Sequence, residues 1–172
     1  MGTITCTRDE FDTMAEGLVK SVPSWRLHRK KDHVGRQVTW LEGSCFLQPG
    51  ASNSSQEQLL VTFFLSYSEC YSQPQLHFAP ERPLGVQELC EWMTDVCPMT
   101  DEQREWYASP IVSMGFCEEL QMALWSIHQC DVTQLLSANM VYEPASSLLE
   151  LFLRNIGPLV GLDKHLLPSC SS

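Results

Sequence analysis

One apolar run constrains the fold more than any other part of the chain. Leu59 to Tyr67 reads LLVTFFLSY, and nearly every position in it is apolar, β-branched or aromatic. A strand with one solvated face alternates apolar and polar residues, whereas this run has no polar side. The sequence therefore predicts a central strand that is buried on both faces of a sheet.

The segments around this strand predict helices and further strands. Helical spacing predicts four helices: Asp9–Val22, Gly85–Val96, Asp131–Met140 and Ala145–Asn155. Alternation predicts strands over 25–30, 34–47 and 75–79, with Gly35 and Gly43 as turn or bulge points. Gln121 to His128 fits a helix or a strand, and we favour a strand. This order predicts an α+β fold with an N-terminal helix, an antiparallel sheet of about four strands and C-terminal helices.

Length and composition exclude several classes of protein. A chain of 172 residues fits a single domain, 1–172. No apolar run reaches the ~18 residues of a membrane span, and Met1 to Glu10 lacks the apolar core of a secretory signal. We therefore expect the eight cysteines to be thiols in the reducing cytoplasm. The net charge of −10 disfavours nucleic-acid binding.

The basic residues are concentrated in one segment. Five of the eleven Lys and Arg residues lie there: Arg26, Arg29, Lys30, Lys31 and Arg36. One interpretation is a solvated strand face. The other is a docking edge for an acidic partner, formed chiefly by Arg26, Arg29, Lys30 and Lys31.

Cys130 has the most suggestive surroundings of any cysteine. It follows a strand-like run and precedes a helix that we expect Asp131 to cap, with Gln134 completing a capping box. A helix N-terminus can stabilise a thiolate, although the Asp131 carboxylate opposes this. His128 would share a face with Cys130 in an extended segment. Cys130 is thus either a nucleophile or a small core residue, and without a CxxC motif we expect no metal and no cofactor.

The segment around Cys130 and three further segments resemble a known family. His128-Gln129-Cys130-Asp131 resembles the His-Pro-Cys segment of the E2-like enzymes of autophagy, and most of all the autophagy-related protein 10 family. Tyr67 to Phe78 is similar to the strand–turn–strand motif of that family, and Arg82-Pro83-Leu84 with the helix through Trp92 matches the next segment of the family. Ile156 to Leu162 is similar to the break in its C-terminal helix.

The resemblance implies an E2-like, ubiquitin-conjugating-like fold and a thioester-forming Cys130. The modifier would be autophagy-related protein 12, delivered by the E1-like autophagy-related protein 7 and transferred to a lysine of autophagy-related protein 5. Tyr67 and Tyr71 match the tyrosine motif of the family and are expected to line the site. His128 and the side chains of Gln129 and Asn139 are further expected site-lining groups.

One departure from the family lies beside the nucleophile. The family usually has proline between the histidine and the cysteine, where this chain has Gln129. Glutamine restores a backbone N–H and is expected to loosen the loop. Two alternatives therefore stay open: a non-catalytic E2 variant that only holds partners, and a cysteine hydrolase that uses Cys130 with His128.

Overall fold

The computed structural model describes residues 4–47, 58–89, 92, 112–139 and 147–169. It contains one antiparallel sheet and flanking helices. In chain order the elements are α1 (Arg8–Ser21), β1 (Arg26–Lys31), β2 (Gln37–Leu47), β3 (Leu59–Ser68), β4 (Gln73–Pro80), β5 (Val112–Cys117), β6 (Met122–Ile127), α2 (Gln129–Asn139) and α3 (Leu148–Ile156). Two 3₁₀ turns, Gly157–Val160 and Lys164–Leu166, follow α3. Residues 86–89 are also helical.

The sheet has six strands, so the prediction of about four was too low. Their spatial order is β1-β2-β3-β4-β6-β5, and every neighbouring pair is antiparallel. The segment 121–128 is indeed a strand, β6. We did not predict β5, although apolar Val112, Met114 and Phe116 alternate in it with Ser113 and Gly115. The α+β class is confirmed.

Strand β3 is buried on both faces, as its composition predicts. Phe63, Leu65 and Tyr67 point into the main core between the sheet and the helices. Phe64 points the other way and packs with Leu120 and Leu124 of the β5–β6 hairpin. The hairpin therefore covers part of the face that the helices leave open.

Local signals explain where the helices begin and end. Thr7 caps α1 and forms a capping box with Glu10, and Ser147 does the same for α3 with Glu150. The α-helix ends at Ile156 and a 3₁₀ turn begins at Gly157, as the Gly157-Pro158 pair predicts. None of the helices described is both long and apolar enough to cross a membrane.

Gly43 is neither a turn nor a bulge, contrary to our expectation. It lies within β2, opposite Phe63 of β3. A Cβ atom at this position would stand 2.7 Å from Cδ2 of Leu166. The side chain of Trp25 also packs there, and its indole Nε1–H donates to the Leu166 carbonyl at 2.8 Å. Glycine therefore lets the C-terminal segment approach the sheet closely.

Candidate functional site at the start of α2

Helix α2 begins two residues earlier than the sequence predicts. The carbonyl oxygen of His128 accepts from the backbone N–H groups of Asp131 at 3.0 Å and Val132 at 3.1 Å. His128 therefore occupies the cap position, Gln129 is the first helical residue and Cys130 the second. The prediction that Asp131 caps this helix is wrong, because Asp131 lies within its first turn.

Cys130 is an exposed, free thiol at this helix start. Among the described cysteines, Cys70 is also exposed, Cys117 is half-buried, and Cys6 and Cys45 are buried. Burial raises the pKa of Cys6 to about 11 and also raises the pKa of Cys45 and Cys117. Those three thiols stay protonated at neutral pH and are hindered, so that, of the five cysteines that the structure describes, Cys130 and Cys70 are the accessible ones.

Gln129 fastens the loop that we expected it to loosen. Its side chain is buried, with 7% of its surface exposed. Its Nε2 donates to Oε1 of Gln73 at 3.1 Å and to the carbonyl oxygen of Pro74 at 3.0 Å. The amide group is therefore directed into the fold and is engaged with β4, so it is not poised beside the Cys130 sulfur as a free donor.

Two residues of this arrangement were missed by sequence reasoning. Gln73 is 2% exposed, and its Oε1 also accepts from Oγ1 of Thr133 at 3.0 Å. Nothing in the local spacing marks Gln73, because its partners lie more than fifty positions further along the chain. The signal that could have found both residues is Gln129, which stands where the family usually has proline. A glutamine amide that is buried there needs hydrogen-bond partners elsewhere in the fold.

The other expected site-lining residues are spread over several elements. Tyr67 is buried, and its hydroxyl donates to the carbonyl oxygen of Cys6 at 2.8 Å. Tyr71 is 48% exposed in the turn between β3 and β4. Both tyrosines line a cavity of about 430 Å³, and Cys130 is not among the residues that line it. His128 is exposed, and Asn139 is the last residue of α2.

The predicted docking residues lie on β1, which is an edge strand: Arg26, Arg29, Lys30 and Lys31. Arg26 pairs with Glu42 at 3.1 Å. Arg29 pairs with Glu16 of α1. The Lys30 ammonium lies 5.5 Å from the centre of the Trp40 ring. Three strands separate β1 from β6, so this edge lies apart from Cys130.

Comparison with known proteins identifies the family. A family model described as autophagocytosis associated protein, active-site domain, matches residues 31–167. No curated protein matches the chain significantly. One similar solved structure is the crystal structure of the autophagic E2, Atg10, with 12% identity over 94% of this chain and 100% of that chain and a TM-score of 0.46. Because the family model covers most of the sequence, the chain belongs to the family of autophagocytosis-associated proteins.

Proposed function

We propose that this chain is an E2-like conjugating enzyme of autophagosome formation, acting as one domain in the cytoplasm, and that Cys130 carries the modifier. The E1-like donor would be autophagy-related protein 7, the modifier autophagy-related protein 12 and the acceptor autophagy-related protein 5. The observation that carries the proposal is the exposed thiol of Cys130 at the second position of an 11-residue helix, inside the matched active-site domain.

The chemistry consists of two acyl transfers. The Cys130 sulfur attacks the thioester carbonyl on the E1, so that a new S–C bond forms, the old one breaks and the proton goes to the E1 thiol. A lysine amine of the acceptor then attacks the Cys130 thioester. An isopeptide bond forms, and Cys130 leaves as a thiol with the proton of the amine.

Each transfer passes through a tetrahedral oxyanion that needs hydrogen-bond donors. The backbone N–H groups of Gln129 and Cys130 occupy the first two positions of α2, where a helix supplies no acceptor of its own. The helix dipole also favours negative charge at this end. These two N–H groups are therefore the donors that we propose for the oxyanion.

A charging assay tests the proposal. With E1, modifier and ATP, the wild-type protein should form an adduct that a thiol reductant releases. Cys130→Ala should abolish this adduct, and Cys130→Ser should give an oxyester that survives the reductant. Cys70→Ala is the matched control, because Cys70 is the other exposed thiol of the described chain, and it should charge normally.

Three results would count against the proposal. Normal charging of Cys130→Ala would show that another cysteine is the nucleophile. Binding of the modifier without any adduct would favour the non-catalytic E2 variant. Release of free modifier from a finished conjugate would favour a cysteine hydrolase.

A further inference from the structure

Two buried glutamines and the half-buried Thr133 form a polar network beneath the first turn of α2. Oε1 of Gln73 accepts from Nε2 of Gln129 and from Oγ1 of Thr133, at 3.1 and 3.0 Å. Nε2 of Gln129 donates to the carbonyl oxygen of Pro74 at 3.0 Å. Thr133 Oγ1 also lies 3.1 Å from the carbonyl oxygen of Gln129, one helical turn back. Cys130 lies between the two residues of α2 that this network holds.

The network begins where the backbone ladder stops. Strands β4 and β6 pair at His77↔Ser126 and Phe78↔Trp125. Continuing that register by three residues places Gln129 opposite Pro74. The side-chain amide of Gln129 reaches the Pro74 carbonyl at that position, so it takes over the role of a ladder hydrogen bond at the point where strand becomes helix.

We propose that Gln73 is a positioning residue for Cys130, which it holds in place through Gln129 and Thr133. The inference rests on the proposed function, in which Cys130 forms the thioester. Acyl transfer requires the sulfur to approach the carbonyl within a narrow range of distance and angle, and a displacement of 1 Å can cost about a hundredfold in rate. Because Cys130 is itself exposed, the hydrogen-bonded residues on either side of it, Gln129 and Thr133, must provide this constraint.

The two glutamines form a matched pair. Oε1 of Gln129 is buried without a hydrogen-bond partner among the described residues, so the arrangement already contains one unsatisfied acceptor. Removal of Gln73 alone leaves Nε2 of Gln129 with only the Pro74 carbonyl and Oγ1 of Thr133 with only the Gln129 carbonyl, so that Gln129 is held by fewer contacts. A proline at position 129 suits the first residue of a helix and fixes its φ angle. Gln73→Leu combined with Gln129→Pro should therefore restore a fixed helix start.

The experiment compares five proteins: the wild type, Gln73→Leu, Thr133→Val, the double variant Gln73→Leu/Gln129→Pro and the control Ser137→Ala. Ser137 lies one turn further along α2, and its hydroxyl donates to the Thr133 carbonyl at 2.7 Å, outside the network. Two readouts are taken under conditions where all five proteins are folded. They are the single-turnover rate of thioester formation and the hydrogen exchange of the amides of residues 129–133.

Gln73→Leu should charge about tenfold more slowly than the wild type. Thr133→Val, which has the same shape but lacks the hydroxyl, should charge more slowly too. The double variant should return to within about threefold of the wild-type rate, and Ser137→Ala should match the wild type. Exchange at 129–133 should rise in the two slowed variants while β3 stays protected. A residue that only stabilised the fold would not give this recovery in the double variant.

Wild-type charging rates in both Gln73→Leu and Thr133→Val would overturn the inference. The inference would also be overturned if the double variant charged as slowly as Gln73→Leu. If the wild type forms no thioester, the proposed function fails, and exchange alone decides whether Gln73 holds the turn: faster exchange confined to 129–133 supports it, and unchanged exchange overturns it.

Discussion

His77 is buried on β4, where burial disfavours the protonated form of its imidazole. It is 4% exposed, and its Nε2 lies 3.1 Å from Ser66 Oγ and 3.7 Å from the sulfur of Cys117. Burial lowers its pKa to about 4, so it is neutral in the native protein at pH 7. In the unfolded chain its pKa returns to about 6.5. Between these values the unfolded state binds the extra proton, and stability therefore falls as the pH falls.

We expect His77→Gln to flatten this pH dependence. The wild type should lose on the order of 2 kcal/mol of unfolding free energy from this group between pH 7 and pH 4.5. Urea unfolding at both pH values measures the loss. His33→Gln, which alters an exposed histidine in the turn between β1 and β2, should keep the wild-type pH dependence. An unchanged slope for His77→Gln would show that other groups carry the effect.

At the scale of single residues, the sequence located the exposed cysteine but not its support. The position of Cys130 after a strand-like run and near a helix start follows from local spacing. The Gln73–Gln129 contact depends on the register between β4 and β6, which are separated by a long stretch of chain. No local pattern encodes that register, so Gln129 was interpreted as a loosening substitution.

The elements differ in how well their boundaries could be predicted. The helices α1 and α3 were placed to within a few residues, because each has an apolar face of helical spacing. The start of α2 was misplaced because Asp131 and Gln134 imitate a capping box, while the observed cap position is His128. The prediction for Gly85–Val96 is met at residues 86–89 and 92, and residues 90, 91 and 93–96 lie outside the described residues.

The basic residues of β1 can be tested as a docking edge by substitution. Arg26 and Arg29 pair with Glu42 and Glu16, and Lys30 contacts an aromatic ring, which are roles within the fold. We expect neutralisation of Arg29, Lys30 and Lys31 to Gln to leave thioester formation intact. Transfer to the acceptor should slow several-fold at low salt, and the difference should shrink as salt screens the charges. Gel-based transfer assays at two salt concentrations measure both steps.

Glu16→Gln is the matched control for this edge. It removes the partner of Arg29 without removing a cation, so the edge becomes more basic and transfer should not slow. If the triple variant transfers at the wild-type rate at low salt, the edge is only a solvated strand.

Over the whole molecule, Arg8 joins three distant segments. Its Nε donates to Glu69 Oε1 at 2.8 Å, and its Nη2 donates to Glu119 Oε1 at 2.7 Å. Its guanidinium also lies 5.2 Å from the centre of the Tyr67 ring. Burial raises the pKa of the Glu119 carboxyl even though Arg8 opposes this shift. Arg8 thus fastens the start of α1 to the β3–β4 turn and to the β5–β6 hairpin.

We expect Arg8→Gln to destabilise the protein by about 1–3 kcal/mol, because it leaves the Glu119 carboxylate partly buried and unpaired. Denaturant unfolding measures the change. Adding Glu119→Gln to this variant should recover part of the lost unfolding free energy, because it removes the unpaired carboxylate. Arg36→Gln is the control: the Arg36 side chain is 62% exposed beside Asp32, and its loss should cost under about 1 kcal/mol. Equal costs for Arg8→Gln and Arg36→Gln would contradict the assigned role.

The short ladder between β4 and β6 has a consequence for local unfolding. The β5–β6 hairpin meets the central sheet at two register positions, and β6 runs into α2 after one residue. Val112, Trp125 and Ile127 pack into the main core, and side chains of the hairpin also contact Phe64, Arg8 and His77. Because its backbone ladder to the sheet is so much shorter than the ladder between β3 and β4, we expect the hairpin to open as a unit at a lower free energy than the central strands. Cys130 follows β6 closely in the chain, so its thiol can move with the hairpin when a bulky partner binds, while β2, β3 and β4 keep their pairing.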